Sequence, residues 1–265
     1  IGSDAFQEAD ITGITQSDLR GGEVVGLAAV AVTMSLVKSL IGLVVARWLG
    51  FDRRLESAFI ISILLVNAAN YGIPLNRFAF GAAGERQAII YYVMSVMVGN
   101  SLGVYFASRG TTTVKEAVLN VLKVPITFAA LAGLVVNLAG ITVPLPIERA
   151  VGILAQASVP GMLALLGLKL AETSIQHIRW RPVLLATGIR LIIAPLIAFP
   201  LATLLGLTGV TFQVAIVQSS MPTAVLANAL ATQFNADTEF TSATTLVSTL
   251  ASIVTLSLLI TLLTA

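Results

Sequence analysis

The sequence predicts an all-α integral membrane protein with about eight transmembrane helices, and three observations carry that prediction. Hydrophobic residues make up 57% of the 265 positions and charged residues 11%, against about 25% charged in soluble domains. Apolar runs of the length a helix needs to cross a bilayer, about 20 residues, recur along the chain without the period-two alternation of half-buried strands. The charges collect in the short stretches between these runs.

The same composition excludes several functions. A formal net charge of +2 leaves no basic stripe for nucleic acid. With no cysteine and a single histidine, His177, the chain has no disulfide framework, no thiolate nucleophile and no histidine cluster for a metal. A G-x-x-x-x-G-K-[ST] phosphate loop is missing, so ATP is not the driving force and no cofactor is expected.

The spans run 24–48, 55–80, 87–106, 124–138, 148–170, 182–205, 209–233 and 240–263. A polar, acidic segment, residues 1–23, comes before them and lacks the basic start and apolar stretch of a signal peptide. Residues 24–108 hold the first three spans, 109–123 form a loop, and 124–265 hold the other five. Arg47, Arg53, Arg54, Arg109, Lys115, Lys123, Lys169, Arg179 and Arg181 fall on one side, whereas Arg20, Arg77, Arg86 and Arg149 fall on the other. By the positive-inside rule the first side is cytoplasmic and both ends of the chain lie outside.

Two spans are interrupted. The second breaks at Asn67-Ala68-Ala69-Asn70-Tyr71-Gly72-Ile73-Pro74, the seventh at Gln218-Ser219-Ser220-Met221-Pro222-Thr223. Proline removes a backbone donor and crowds the preceding turn, so each break frees main-chain groups inside the bilayer. Each broken span follows a plain one ending near a Leu-Gly or Leu-Leu-Gly step and precedes another plain one, and the copies run in opposite senses. This is the inverted repeat of secondary transporters, in which paired broken helices mark a midplane binding site. Asn67, Asn70 and Tyr71 would meet Ser219, Ser220 and Thr223 there, a set of neutral donors suited to a carboxylate. The alternative for any one break is a proline kink whose polar residues satisfy only their own backbone. Spans 124–138 and 148–170 have no partners in the first copy, which implies a ten-span parent with two helices ahead of this chain.

The blocks Asn70-Tyr71-Gly72-Ile73-Pro74-Leu75, Ala79-Phe80-Gly81, Ser220-Met221-Pro222-Thr223-Ala224, Ala231-Thr232-Gln233-Phe234-Asn235-Ala236-Asp237 and Ala157-Ser158-Val159-Pro160 followed by Leu165-Leu166-Gly167-Leu168-Lys169-Leu170 resemble the auxin efflux carrier family. The resemblance extends from about Asp18 to the end. It implies ten helices in two inverted five-helix repeats, with broken helices crossing at Pro74 and Pro222 beside Gly72. It implies a transport body and a scaffold, and elevator-like carriage of small organic anions, which plant members of the family export without a required coupling ion. The partners expected are such an anion and the lipid bilayer of the cytoplasmic membrane, with a homodimer as the candidate oligomer.

Lys38 and Arg190 lie within corresponding plain spans, and a cation in the hydrocarbon is a functional hypothesis by default. Both would draw an anion, unless they snorkel to the cytoplasmic surface. The resemblance leads one to expect an acid one turn before Lys38, where this chain has Met34. Asp and Glu are missing from the span cores, which disfavours a sodium-coupled symporter of the bile-acid type, although amides, hydroxyls and carbonyls bind sodium too. Asn100, Asn137, Gln156 and Gln213 read as interhelical glue. Gly99-Asn100-Ser101-Leu102-Gly103 matches the G-x-S-x-G elbow of serine hydrolases, but that chemistry needs a base beside Ser101. His177, the one histidine, stands in a polar loop with Arg179 and Arg181, and Trp48 and Trp180 read as interfacial anchors.

Overall fold

A computed structural model describes residues 21–108, 136, 143–171 and 178–265. Among these the regular elements are helical. They are α1 (Gly21–Trp48), α2 (Arg53–Leu64), a π turn π1 (Ala68–Gly72), α3 (Ile73–Ser108), α4 (Leu145–Ala171), α5 (Trp180–Gly188), a second π turn π2 (Ile189–Ile193), α6 (Ala194–Leu204), α7 (Gly209–Ser219), α8 (Leu226–Gln233) and α9 (Thr238–Thr264). Of the expected spans, 124–138 lies outside the described residues apart from Val136, and α4 covers 148–170. Among the described residues four helices are long and apolar enough to cross a bilayer: 22–48, 68–108, 180–204 and 238–264. The expected plain span 182–205 contains an unforeseen π turn, and α3 joins the second half of one broken span to the next span across a kink at Gly81.

The sides of the helices are reversed relative to those of a soluble bundle. α1 buries Ser35, Lys38 and Ser39 while exposing Leu36, Leu40 and Val44. α9 buries Thr241, Thr244, Thr245, Ser248, Thr249 and Ser252 while exposing Leu250, Ile253, Val254, Leu258 and Leu262. Such a surface is stable only against lipid, where polar side chains turn inward to find partners and apolar ones cost nothing outside.

The same succession of elements occurs twice. α1 and α6 both end in a Schellman turn, with Gly50 at φ 65° and Gly206 at φ 68°. In each, the next N–H reaches back five residues, Phe51 to Ala46 and Leu207 to Ala202, both at 3.0 Å. α2 and α7 follow, of 12 and 11 residues. After the breaks come helices 73–80 and Leu226–Gln233, then a positive-φ residue, Gly81 (68°) or Asn235 (54°), and then a long helix.

Within the bundle, α1 packs on α2 and α3, α3 on α7, and α9 on α2, α5 and π2. α4 stands apart, resting chiefly on π1 and α3.

Candidate functional site

The two breaks meet as extended chain. Val66 and Thr223 form an isolated antiparallel bridge: the Asn67 N–H donates to the Pro222 carbonyl and the Ala224 N–H to the Leu65 carbonyl, both at 2.9 Å. Main-chain groups that each broken helix cannot satisfy itself are thus satisfied by the other. Pro222 sits at the contact, its missing N–H costing nothing because its carbonyl makes the pairing. Pro74 is buried in the first turn of α3, after π1, rather than at the contact. Gly72 lies against Gln218: a Cβ there would collide with the Gln218 side-chain amide. The Gln218 amide in turn donates to the carbonyls of Ala68 and Ala88 at 3.3 Å each, fastening α7 to π1 and α3.

Arg190 is wholly buried beneath this contact. Its Nε donates to the Met221 carbonyl at 3.0 Å and its Nη2 to the Pro222 carbonyl at 3.2 Å, while Nη1 reaches the Ile63 carbonyl and Nη2 also reaches that of Met221. The guanidinium therefore binds both breaks, and it does not snorkel. π2 widens the helix around Arg190, a distortion that single π turns often provide at functional positions.

Lys38 differs. It is 1% exposed, donates no hydrogen bond to a described residue and has no carboxylate partner among them. Met34, one turn earlier, belongs to the same buried cluster as Ala68, and Gly42, one turn later, faces Ile60 of α2.

The expected site residues divide by their partners. The Asn67 Nδ2 is buried without a partner. Asn70 is half-buried, and its amide has no hydrogen bond among the described residues. Tyr71 packs with Val217, Met221 and Leu256. Ser219 and Ser220 donate back to their own helix, at the carbonyls of Ala215 and Ile216, both at 2.7 Å. Thr223 Oγ1 donates across the contact to the Ser62 carbonyl at 2.9 Å. These three hydroxyl protons are committed to backbone, whereas Lys38, Asn67 and Asn70 keep donor capacity among the described residues.

Sequence reasoning missed α9. Ser248 Oγ accepts the Thr223 N–H at 3.1 Å, and Thr244, one turn earlier, has a buried hydroxyl without a partner, as does Thr249. Hydroxyl residues at Thr241, Thr244, Thr245, Ser248, Thr249, Ser252 and Thr255, in steps of three and four, were the available signal. Tyr91 was also missed; its hydroxyl shares a 3.0 Å hydrogen bond with Ser219 Oγ.

Of the presumed glue residues, Gln213 donates to the Leu263 carbonyl at 2.8 Å, while Asn137 lies outside the described residues, as does the loop residue His177. Ser101 is in the interior of α3, not on a strand-to-helix turn, and donates to the Met97 carbonyl at 2.9 Å.

A family model described as membrane transport protein matches residues 110–260. The chain belongs to that family. This transporter is 29% identical over 238 residues to an "Uncharacterized transporter" of Methanothermobacter thermautotrophicus, an alignment covering 88% of this chain and 76% of the relative. It is 27% identical over 191 residues to an uncharacterized transporter of Methanocaldococcus jannaschii, covering 70% of this chain and 61% of that relative. The membrane transport family and the auxin efflux carrier resemblance agree, and the transporter is a multi-pass integral membrane protein rather than an enzyme.

Proposed function

We propose that the transporter carries small organic anions, held where the two breaks meet, by an elevator-like movement. The observation that carries this reading is Lys38: a buried lysine on α1, the helix packed against α2 and α3, with neither carboxylate nor hydrogen-bond partner among the described residues. An unpaired charge in that position is costly, and a substrate carboxylate is the counter-charge that relieves it. Asn67 and Asn70 supply neutral donors from the first break. Arg190 adds positive potential from behind the carbonyls it binds.

In this reading residues 24–108 and 124–265 are the two repeats, and α4 belongs to the scaffold. The contact of α4 with π1, the segment holding Asn70 and Tyr71, supports a substrate bound between moving body and scaffold.

The test is charge movement by proteoliposomes on a solid-supported membrane, challenged with malate, malonate, an indole carboxylate and a bile acid. Saturable currents are expected for at least one of these anions, and Asn70→Ala, on a half-buried residue, is expected to lose them while keeping the wild-type unfolding midpoint. Undiminished currents in Asn70→Ala would remove the crossing as the site.

A further inference from the structure

In broken-helix transporters the carbonyls at unwound segments and half-helix ends coordinate the coupling cation. Here five of the carbonyls at the crossing are in use. Ser62 accepts from Thr223 Oγ1, Leu65 from the Ala224 N–H, Pro222 from the Asn67 N–H and from Arg190, and Ile63 and Met221 from Arg190. The group on which Ile63, Met221 and Pro222 converge is a fully buried guanidinium, contributed by a third element, π2, that belongs to neither broken helix.

We infer that Arg190 is a tethered cation filling the position where a free alkali ion would bind, so that the crossing holds its own positive charge and takes up no sodium. A guanidinium suits the task because its planar fork serves several carbonyls at once and its charge is permanent. A bound sodium ion would enter and leave with the transport cycle; Arg190 stays in both directions of movement. The carbonyls thereby keep a cationic donor at every stage. This inference rests on the transport reading for its meaning, but the geometry it uses does not depend on which anion is carried.

The test needs no substrate. Thermal unfolding of the purified protein in detergent is followed in sodium chloride and in choline chloride at equal ionic strength, with and without millimolar guanidinium chloride. Wild type is expected to show one midpoint in all four conditions. Arg190→Ala, which opens the carbonyl cluster, is expected to unfold at lower temperature in choline and to recover part of the loss with sodium or with free guanidinium. A sodium-specific rise in the wild-type midpoint would overturn the inference, because the position would then be open. So would a folded Arg190→Ala that answers to neither cation. If Arg190→Ala does not fold, Arg190→Lys keeps the charge and is expected to remain sodium-blind; a sodium-specific rise in that variant would equally overturn it. Silence toward every anion in the proteoliposome assay would count against the transport reading and leave these midpoints unaffected.

Discussion

Lys38 and Arg190 occupy comparable depths in the bundle and have opposite circumstances. Arg190 spends its donors on three carbonyls, whereas Lys38 makes no hydrogen bond among the described residues. Replacing Lys38 by Met, similar in length and neutral, therefore removes an uncompensated charge and should stabilise the protein by about 1–3 kcal/mol. The same change should weaken anion binding by roughly 10–150-fold, the worth of one charge-assisted hydrogen bond of about 1.5–3 kcal/mol. Unfolding midpoints and the concentration dependence of transport currents measure the two effects; a Lys38→Met protein that is less stable and transports normally would contradict both. Much of this was legible in the sequence, because a cation in an apolar run stands out. Which backbone atoms Arg190 meets was not, since Ile63 and Met221 are ordinary apolar residues and only the fold brings their carbonyls together. For the same reason Ser219, Ser220 and Thr223 read as donors to a ligand: a sequence shows a hydroxyl but not the carbonyl it has already found.

The elements are set by their ends. Asp52 caps α2, its carboxylate accepting from the N–H groups of Arg54 at 2.9 Å and Leu55 at 3.1 Å. The Leu55 N–H above all, with Arg54 and the Arg179 guanidinium adding to it, holds the Asp52 carboxyl below its ordinary range despite some opposing desolvation. A depressed folded-state value means that the stabilisation is complete above the unfolded value of about 3.9 and is lost as pH falls through the folded one. Asp52→Ala should therefore cost about 1 kcal/mol at neutral pH, and the gap between its midpoint and that of wild type should close only in strongly acidic solution. A gap unchanged down to low pH would show that Asp52 does not cap as a carboxylate. Within α3, Gly81 has φ 68° and ψ −157°, a region open essentially to glycine. The chain folds back there so closely that a Cβ on Gly84 would lie 2.5 Å from the Asn76 carbonyl. Gly84→Ala should cost about 1–3 kcal/mol by overpacking, and a wild-type midpoint would mean that the kink is looser than this. The breaks announced themselves through Asn, Gly and Pro; π2 did not, because Ile189 to Ile193 has no proline, glycine or hydroxyl to mark a widened turn.

For the whole molecule, the bridge between Val66 and Thr223 lies inside the packed body, while α4 touches that body chiefly at π1 and α3. If the body moves as a unit, fixing the bridge should not stop it. Val66 and Thr223 form the closely spaced kind of antiparallel pair, with Cα atoms about 4.5 Å apart, within the range a disulfide spans. The chain has no cysteine to compete. A Val66→Cys, Thr223→Cys protein should therefore cross-link on oxidation and keep its anion currents; abolition by the cross-link, reversed on reduction, would show that the breaks themselves open during transport.

The Arg190 contact also bears on how the protein is made. The Ile63 carbonyl waits for a partner 127 residues further along the chain. At a synthesis rate of about 5–20 residues per second, that interval is roughly 6–25 s. Throughout it the end of α2 must stay hydrated or within the insertion machinery, because lipid offers a bare carbonyl no donor. Neither half can therefore be released into the bilayer as a finished unit, and the membrane receives the two breaks together, late, as one event of assembly.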